Sequence, residues 1–155
     1  MSVLFICTGN ICRSPSADAI LRHKLQEKNV HIRVDSAGLG SWHIGDSPDE
    51  RAIKVAQEFG FDISHIRARQ FNESDFYDYD HIIAMDDSHY RYLEQMKPEG
   101  VATKILYFCD FFMDKKGCSV ADPYYGGIED FRHMMQQIIT GCDGLVDYLL
   151  MTETS

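Results

Sequence analysis

The chain has 155 residues, of which 45% are hydrophobic, and its formal net charge at neutral pH is −9. This length predicts a single domain over residues 1–155 that buries about 70% of the surface of the unfolded chain. The acidic balance argues against a nucleic acid or an anionic membrane as partner, because affinity for such polyanions requires a basic surface.

The chain is predicted to begin with a short strand and a helix. An apolar run over residues 3–6 predicts the strand. Ser14 is a favoured helix N-cap and Pro15 a favoured first helical residue, so we expect a helix to begin there. Its apolar residues recur at helical spacing on one face: Ala17, Ile20, Leu21 and Leu25.

A second strand and a second helix are expected next. Apolar residues alternate over 30–34 and predict a strand that ends at residues 35–36. The glycine-rich segment 37–45 is expected to be a loop. Residues 47–50 form a capping box that opens a helix, and Gly60 ends it. The residues of this helix that face the core are Ala52, Val55, Ala56 and Phe59.

Four further elements complete the predicted pattern. Residues 82–84 form a third strand, and the helix after it ends near Pro98. Residues 105–108 form a fourth strand, and residues 128–150 form a long final helix. A core stripe runs along that helix: Phe131, Met135, Ile138, Cys142, Leu145 and Leu149.

This alternation of strands and helices predicts an α/β fold. It is a three-layer sandwich in which a four-stranded parallel sheet carries helices on both faces. Ligands of such folds bind at the carboxyl ends of the strands. Cys7, Ser36 and Asp86 lie just past three strand ends, and a long loop over 109–127 leaves the fourth. The candidate chemistry therefore collects at one edge of the sheet.

The loop after the first strand predicts an oxyanion site with a nucleophile. Its backbone N–H groups and the positive end of the following helix can face one anion, and Arg13 can add a bidentate fork. The same positive field favours the reactive thiolate of Cys7. Asn10 suits a left-handed backbone position, from which its amide can brace the loop. The other residues of this phosphate-binding loop are Thr8, Gly9, Ile11, Cys12 and Ser14.

These groups suit the hydrolysis of a phosphomonoester. Cys7 would attack the phosphorus in line and form a phosphocysteine, while the loop and Arg13 stabilise the equatorial oxygens. A phenolate leaving group needs a proton, since a phenol has a pKa of about 10. Asp122 is the candidate donor, and once deprotonated it can activate the water that hydrolyses the intermediate. No cofactor or metal is required, because Arg13 and the loop supply the positive charge.

A cytoplasmic location is expected. No apolar run approaches transmembrane length, and the first strand begins too early to leave room for a secretory leader. In a reducing compartment the cysteines should remain thiols, and Cys-x4-Cys is a poor zinc spacing. The chain has five of them, at Cys7, Cys12, Cys109, Cys118 and Cys142.

Residues 7–15 (Cys-Thr-Gly-Asn-Ile-Cys-Arg-Ser-Pro), together with residues 122–126 (Asp-Pro-Tyr-Tyr-Gly), resemble the low-molecular-weight protein tyrosine phosphatases. The resemblance extends over residues 3–150. Larger cysteine phosphatases carry their acid upstream of the nucleophile, whereas Asp122 lies downstream, as in the smaller family. The resemblance implies hydrolysis of phosphotyrosine in proteins and of small aryl phosphates, with inorganic phosphate or other oxyanions also bound in the loop.

The resemblance also implies roles for residues around the loop. Ser36 and His65 would form hydrogen bonds with Asn10, with Asp35 close to His65. The Ser14 hydroxyl would stabilise the Cys7 thiolate.

Aromatic walls and a second cysteine complete the implied site. Trp42, Tyr124 and Tyr125 would enclose the substrate ring. Cys12 would either trap oxidised Cys7 as a disulfide or only pack beneath the loop, and the sequence leaves both interpretations open.

Three other functions compete with this interpretation. Related arsenate reductases relay a disulfide through two further cysteines, which segment 80–92 lacks, although Cys109 and Cys118 could be proposed. Related protein-arginine phosphatases carry threonine in place of Ile11, whose larger apolar side chain favours a flat aromatic ester. A non-catalytic phosphotyrosine-binding module would need neither Cys7 nor Asp122.

The tyrosine-rich run over 71–79 bears on the oligomeric state. It could form a dimer contact, but a solvated acidic edge explains it equally well. We expect a monomer or a weak homodimer.

Overall fold

The computed structural model describes residues 1–112, 120 and 122–154. Ten elements follow one another along the chain: β1 (Ser2–Cys7), α1 (Arg13–Glu27), β2 (Arg33–Gly38), α2 (Glu50–Glu58), α3 (Asp75–Asp78), β3 (His81–Ala84), α4 (Asp87–Met96), β4 (Lys104–Tyr107), a 3₁₀ helix (Phe108–Phe111) and α5 (Ile128–Thr154).

The four strands form one sheet in the order β2-β1-β3-β4. Every neighbouring pair is parallel, with Cys7 opposite Gly38 and Ile6 opposite Ala84. The carboxyl ends of all four strands therefore lie at the same edge. This arrangement confirms the predicted α/β fold, with the loop that contains Arg13 directly after the first strand.

Alternate residues of β1 face two different core layers. Val3 and Phe5 pack with apolar residues of α1, α2 and α5, whereas Leu4 and Ile6 pack with those of α3 and α4. All four side chains are fully buried. Helices thus cover both faces of the sheet, and the three-layer prediction is confirmed.

The predicted core stripe of the last helix is also confirmed. Its six residues are all fully buried and contact the same core as β1 and α1. Gly60 has a φ of +90°, a conformation that L side chains rarely adopt, so the predicted end of α2 is confirmed as well.

The second strand was predicted too early. It begins at Arg33 and continues through Ala37 and Gly38, which were assigned to a loop. The reason is tertiary, because β1 offers hydrogen-bonding partners as far as Cys7. Helix α3 was not predicted, since four residues carry too little periodicity to be seen.

The starts of two helices also differ from the prediction. Helix α1 begins at Arg13, and Ser14 lies inside its first turn without capping it. Helix α2 is capped by Asp49, whose carboxylate accepts from the backbone N–H of Arg51 at 2.8 Å, and not by Ser47. In α1 the N-cap position is Cys12, which makes no side-chain cap, and in α2 the cap lies two residues after the predicted serine.

The cysteines do not all remain thiols. Cys7, Cys12 and Cys142 are free, but Cys109 is disulfide-bonded, so the expectation is wrong for that residue. It rested on an assumed compartment, which composition does not determine. Cys118 lies outside the described residues. Within the part of the chain that the structure describes, no helix combines the length and apolar character needed to cross a bilayer.

Candidate active site

A cleft of about 400 Å³ opens at the carboxyl edge of the sheet. It brings together the predicted nucleophile, most of the loop, the predicted acid and all three predicted aromatic walls. The lining residues are Cys7, Thr8, Gly9, Ile11, Cys12, Arg13, Trp42, His43, Asp122, Tyr124 and Tyr125. Sequence analysis did not single out His43.

Cys7 lies at the floor of the cleft, at the end of β1, with 2% of its surface exposed. Its Sγ is 2.9 Å from Ser14 Oγ and accepts from the Asn10 backbone N–H at 3.3 Å. The Asn10 side-chain Nδ2 donates to Ser14 Oγ at 2.7 Å, so the hydroxyl proton of Ser14 is left to donate to sulfur. This orientation stabilises negative charge on Sγ and explains why Ser14 does not cap α1.

Asn10 holds the loop in its curved conformation. Its φ is +59°, in the left-handed region predicted for it. Besides the bond to Ser14, its Oδ1 accepts from the Arg69 backbone N–H at 3.0 Å. The amide thus connects the loop to α1 and to the segment that follows α2.

The hydrogen bonds that the resemblance implies from Ser36 and His65 to Asn10 are not found among the described residues. Ser36 Oγ is buried but makes no hydrogen bond to Asn10, and His65 is exposed. The backbone of Arg69 takes their place, four residues beyond His65. Asp35 lies by the Arg69 side chain, with Oδ2 3.5 Å from Nε, and also accepts from Tyr79 Oη at 2.9 Å. A backbone N–H leaves no residue-type signal, which is why sequence analysis missed it.

Arg13 is 3% exposed and held on several sides. Its Nη1 donates to Asp86 Oδ2 at 2.7 Å and to the Val120 carbonyl at 3.1 Å. Its Nη2 donates to Thr8 Oγ1 at 3.3 Å. These contacts fix the plane of the guanidinium before any anion binds, and Arg13 also lines the cleft.

Asp86 is the main partner that sequence analysis left without a role. Burial works against its charge, but hydrogen bonds from Ser88 and Arg13 outweigh burial and hold the pKa of this carboxyl below its usual range. Its position after β3, next to the strand that carries Cys7, was the available signal.

His89 lies behind the loop, between Thr8 and Asp86. Its side chain is 2% exposed, and Nε2 lies 2.9 Å from Thr8 Oγ1. Its Nδ1 is 3.3 Å from Asp86 Oδ1. Burial and the Arg13 charge lower the pKa of His89 to about 4, so its imidazole is neutral at neutral pH.

The buried imidazole should make the fold sensitive to acid. Unfolded His89 takes up a proton below about 6.5, whereas the folded residue, with a pKa of about 4, does not. The free energy of unfolding should therefore fall as pH drops through this window, by roughly 3 kcal/mol at its acid end. Urea unfolding at pH 7 and pH 4.5 should show a smaller fall for His89→Gln than for the wild type. Equal falls in the two proteins would contradict the assignment.

Asp122 lies on the solvent side of the same guanidinium. Its Oδ2 is 3.7 Å from Arg13 Nη2, and its side chain is 46% exposed. Its Oδ1 accepts from the Tyr124 backbone N–H at 3.1 Å, which fixes the direction of the carboxylate. Asp122 thus forms a local turn with Tyr124 and also lines the cleft.

Aromatic rings form the rim. Trp42 is 73% exposed and Tyr125 96% exposed, and the Tyr124 and Tyr125 rings meet edge to face at 5.0 Å. His43 lies 6.2 Å from the Tyr124 ring, and its Nδ1 is 3.1 Å from Asp46 Oδ2. An open apolar rim above an anion cradle suits a flat ring that carries a phosphate.

The end of β2 passes close behind the loop. A Cβ at Gly38 would lie 2.8 Å from the Thr8 carbonyl oxygen and 3.0 Å from Asn10 N. Only glycine allows these two backbones to approach so closely.

Cys12 lies on the same loop and is 4% exposed. Burial, reinforced by the charge of Asp49, raises the pKa of its thiol far above the usual range. Cys12 is therefore protonated at neutral pH, although the nearby charge of Arg13 by itself would lower the pKa of its thiol.

Comparisons with known proteins agree with this geometry. Residues 2–154 match the family model described as low molecular weight phosphotyrosine protein phosphatase. The protein of that name from Schizosaccharomyces pombe is 38% identical over 142 residues, which cover 90% of each chain. The low molecular weight protein-tyrosine-phosphatase YfkJ of Bacillus subtilis is 40% identical over 148 residues, 94% of each chain.

Solved structures show the same backbone. A protein tyrosine phosphatase from Entamoeba histolytica superposes with a TM-score of 0.93 at 35% identity and covers 99% of both chains. A Drosophila arginine phosphatase superposes with a TM-score of 0.90 at 34% identity, covering 96% of this chain and 98% of that one. Fold, loop and sequence relationship lead to one conclusion: the chain belongs to the low molecular weight phosphotyrosine protein phosphatase family, and it is an enzyme of that class, a hydrolase of phosphotyrosine.

Proposed function

We propose that this single-domain chain dephosphorylates phosphotyrosine-containing proteins and small aryl phosphates with Cys7 as nucleophile, Arg13 as anion anchor and Asp122 as acid and base. The observation that carries the proposal is the pair of donors on Cys7 Sγ. Ser14 Oγ and Asn10 N both reach this sulfur at the floor of a cleft whose upper wall holds Arg13 and Asp122. A thiol that only filled the core would need no such donors.

In the first step the phosphoryl group moves to sulfur. The dianion lies against the backbone N–H groups of the loop, and the Arg13 guanidinium binds its equatorial oxygens. The Cys7 thiolate attacks phosphorus while the bond to the phenolic oxygen breaks. Asp122 gives its proton to that oxygen, so a neutral phenol leaves.

In the second step water releases the phosphate. The Asp122 carboxylate accepts a proton from water as the oxygen attacks phosphorus, and the S–P bond breaks to return the Cys7 thiolate. Inorganic phosphate is the product and, like other oxyanions, a ligand of the empty loop. Neutral His89 and anionic Asp86 support Arg13 throughout without touching the reacting atoms.

The aromatic rim and Ile11 favour a phosphorylated ring over other phosphoryl carriers. Trp42, Tyr124 and Tyr125 enclose the mouth of the cleft, and Ile11 lines it with an apolar surface. An arginine side chain would bring a charged guanidinium to this apolar wall, which costs desolvation. The related Drosophila arginine phosphatase makes phosphoarginine the comparison substrate of choice.

The proposal also covers the surroundings of the enzyme. We place it in the cytoplasm as a monomer or weak homodimer, although the disulfide at Cys109 is not what a reducing compartment favours. The net charge of −9 supports the proposal that neither nucleic acid nor an anionic membrane is a partner. Cys12 would protect the nucleophile: the sulfenic acid that peroxide forms on Cys7 condenses with the Cys12 thiol and releases water. Both cysteines are free thiols of one loop.

A leaving-group comparison tests the role of Asp122. In single-turnover measurements Asp122→Ala should slow phosphotyrosine about 100-fold or more, because a poor leaving group cannot depart as a bare anion. The ester of a much more acidic phenol should lose far less. Equal losses for both esters would show that Asp122 is not the general acid.

A substrate panel separates the competing functions. Steady-state turnover of phosphotyrosine, phosphoserine, phosphoarginine and arsenate, each with and without a thiol reductant, should show the highest kcat/KM for phosphotyrosine. Arsenate reduction that depends on the thiol, or a preference for phosphoarginine, would contradict the proposal.

A further inference from the structure

We propose that Asp49 and Arg51 form a positioning clamp that sets the distance between the acid segment, residues 122–127, and the phosphate-binding loop. The inference rests on the proposed role of Asp122 as general acid. Neither residue of the clamp is among the lining residues of the cleft, so the clamp acts through Asp122 and not on substrate.

The Arg51 side chain binds two backbone carbonyls of the acid segment. Its Nη2 donates to the Tyr124 carbonyl at 2.8 Å and its Nη1 to the Gly126 carbonyl at 3.0 Å. The backbone N–H of the same Tyr124 donates to Asp122 Oδ1. Arg51 therefore fixes the residue that in turn orients the carboxylate of the acid.

Asp49 connects the same guanidinium to the loop. Its Oδ1 accepts from Arg51 Nε at 3.1 Å and its Oδ2 from Nη2 at 3.0 Å, a two-point fork. Its backbone N–H donates to the Ile11 carbonyl at 2.8 Å. A continuous chain of hydrogen bonds thus runs from the phosphate-binding loop through Asp49 and Arg51 to the acid segment.

Two aromatic rings also contact the Arg51 guanidinium through cation–π interactions. Its Cζ lies 4.4 Å from the centroid of the fully buried Phe131 ring on α5 and 5.9 Å from the Tyr124 ring. Helix capping explains why Asp49 accepts from the Arg51 backbone, but it does not explain contacts of the side chain with residues more than 70 positions away. A planar fork with several donors is required for these contacts, which lysine cannot supply.

The clamp should affect proton transfer selectively. Cys7 and Arg13 are held by other contacts, so loss of the clamp moves the acid and leaves the nucleophile in place. A displacement of about 1 Å in a reacting group can cost up to about 100-fold in rate. That loss should appear only where protonation of the leaving group matters.

Single-turnover kinetics of Arg51→Lys test this inference. The rate with phosphotyrosine should fall about 10- to 100-fold, and the rate with the ester of a much more acidic phenol by no more than about threefold. The double variant with Asp122→Ala should lose no more than Asp122→Ala alone, because the clamp has nothing left to position. Asp49→Asn, which keeps the shape of the side chain, should show the same selectivity in weaker form.

A matched control is available on the same pair of helices. Arg132 on α5 pairs with Glu58 on α2 and does not contact the acid segment, so Arg132→Lys should leave both rates unchanged. Equal losses for the two esters in Arg51→Lys, or no loss in a folded variant, would overturn the clamp. If Asp122→Ala itself fails to discriminate between the esters, the proposed acid is wrong and the clamp falls with it.

Discussion

Replacing Cys7 by serine should abolish the turnover of aryl phosphates, with a loss of at least about 1000-fold in kcat. A serine hydroxyl remains protonated where the thiolate is the reactive form, and the described groups that contact this position, Ser14 Oγ and Asn10 N, are not bases that could take its proton. The side chain is buried and nearly isosteric, so thermal stability should stay close to that of the wild type. Retention of more than a few percent of the rate would exclude Cys7 as the nucleophile.

Oxyanion binding is the control for that variant. Phosphate contacts the loop N–H groups and Arg13, and neither is changed. The Cys7→Ser protein should therefore still bind inorganic phosphate, as measured by calorimetry. Loss of binding together with activity would point to a damaged loop instead of a missing nucleophile.

Replacing Arg13 by lysine should cost about 3 kcal/mol of transition-state stabilisation, or roughly 100-fold in kcat/KM. Lysine keeps the charge but cannot contact Asp86, the Val120 carbonyl and Thr8 while it also presents two parallel donors to phosphate. Competition by vanadate should weaken in parallel.

Arg67 provides a matched control for the arginine replacement. It is exposed, and among the described residues it donates only to the nearby carbonyls of Ser64 and Ile66, so Arg67→Lys should leave rate and inhibition unchanged. Inhibition of the wild type that is not competitive with substrate would place the anion site elsewhere.

The parts of the site that could be predicted are those coded by local sequence. The strand, loop and helix around Cys7 follow from hydrophobic pattern and glycine, and the positive φ of Asn10 follows from its residue type. The core stripe of α5 follows from its period alone.

The parts that could not be predicted depend on contacts distant in sequence. Asp86 and His89 lie more than 70 residues from the loop that they support. The end of a strand placed Asp86 at the correct edge of the sheet but did not reveal its contact with Arg13, and nothing in the local sequence marked His89. The backbone N–H of Arg69, and not His65, hydrogen-bonds to Asn10. Which residue of the segment after α2 lies opposite Asn10 depends on the path of the backbone there, which the local sequence does not determine. Ser14 does not cap the helix as its residue type suggested, but its hydroxyl does contact the Cys7 sulfur as the family resemblance implied.

The nucleophile and the proton donor lie in parts of the molecule with very different protection from solvent. Cys7 ends β1, a central strand in which every residue is buried, whereas Asp122 and Tyr125 belong to an exposed connection. Amide protons of such a strand exchange with solvent only when the whole protein unfolds, but those of an exposed connection exchange through local opening of much lower free energy. Under mildly denaturing conditions Asp122 would therefore lose its position as proton donor while Cys7 is still held in the intact phosphate-binding loop. Over that range the enzyme would keep its activity toward esters of acidic phenols and lose it toward phosphotyrosine.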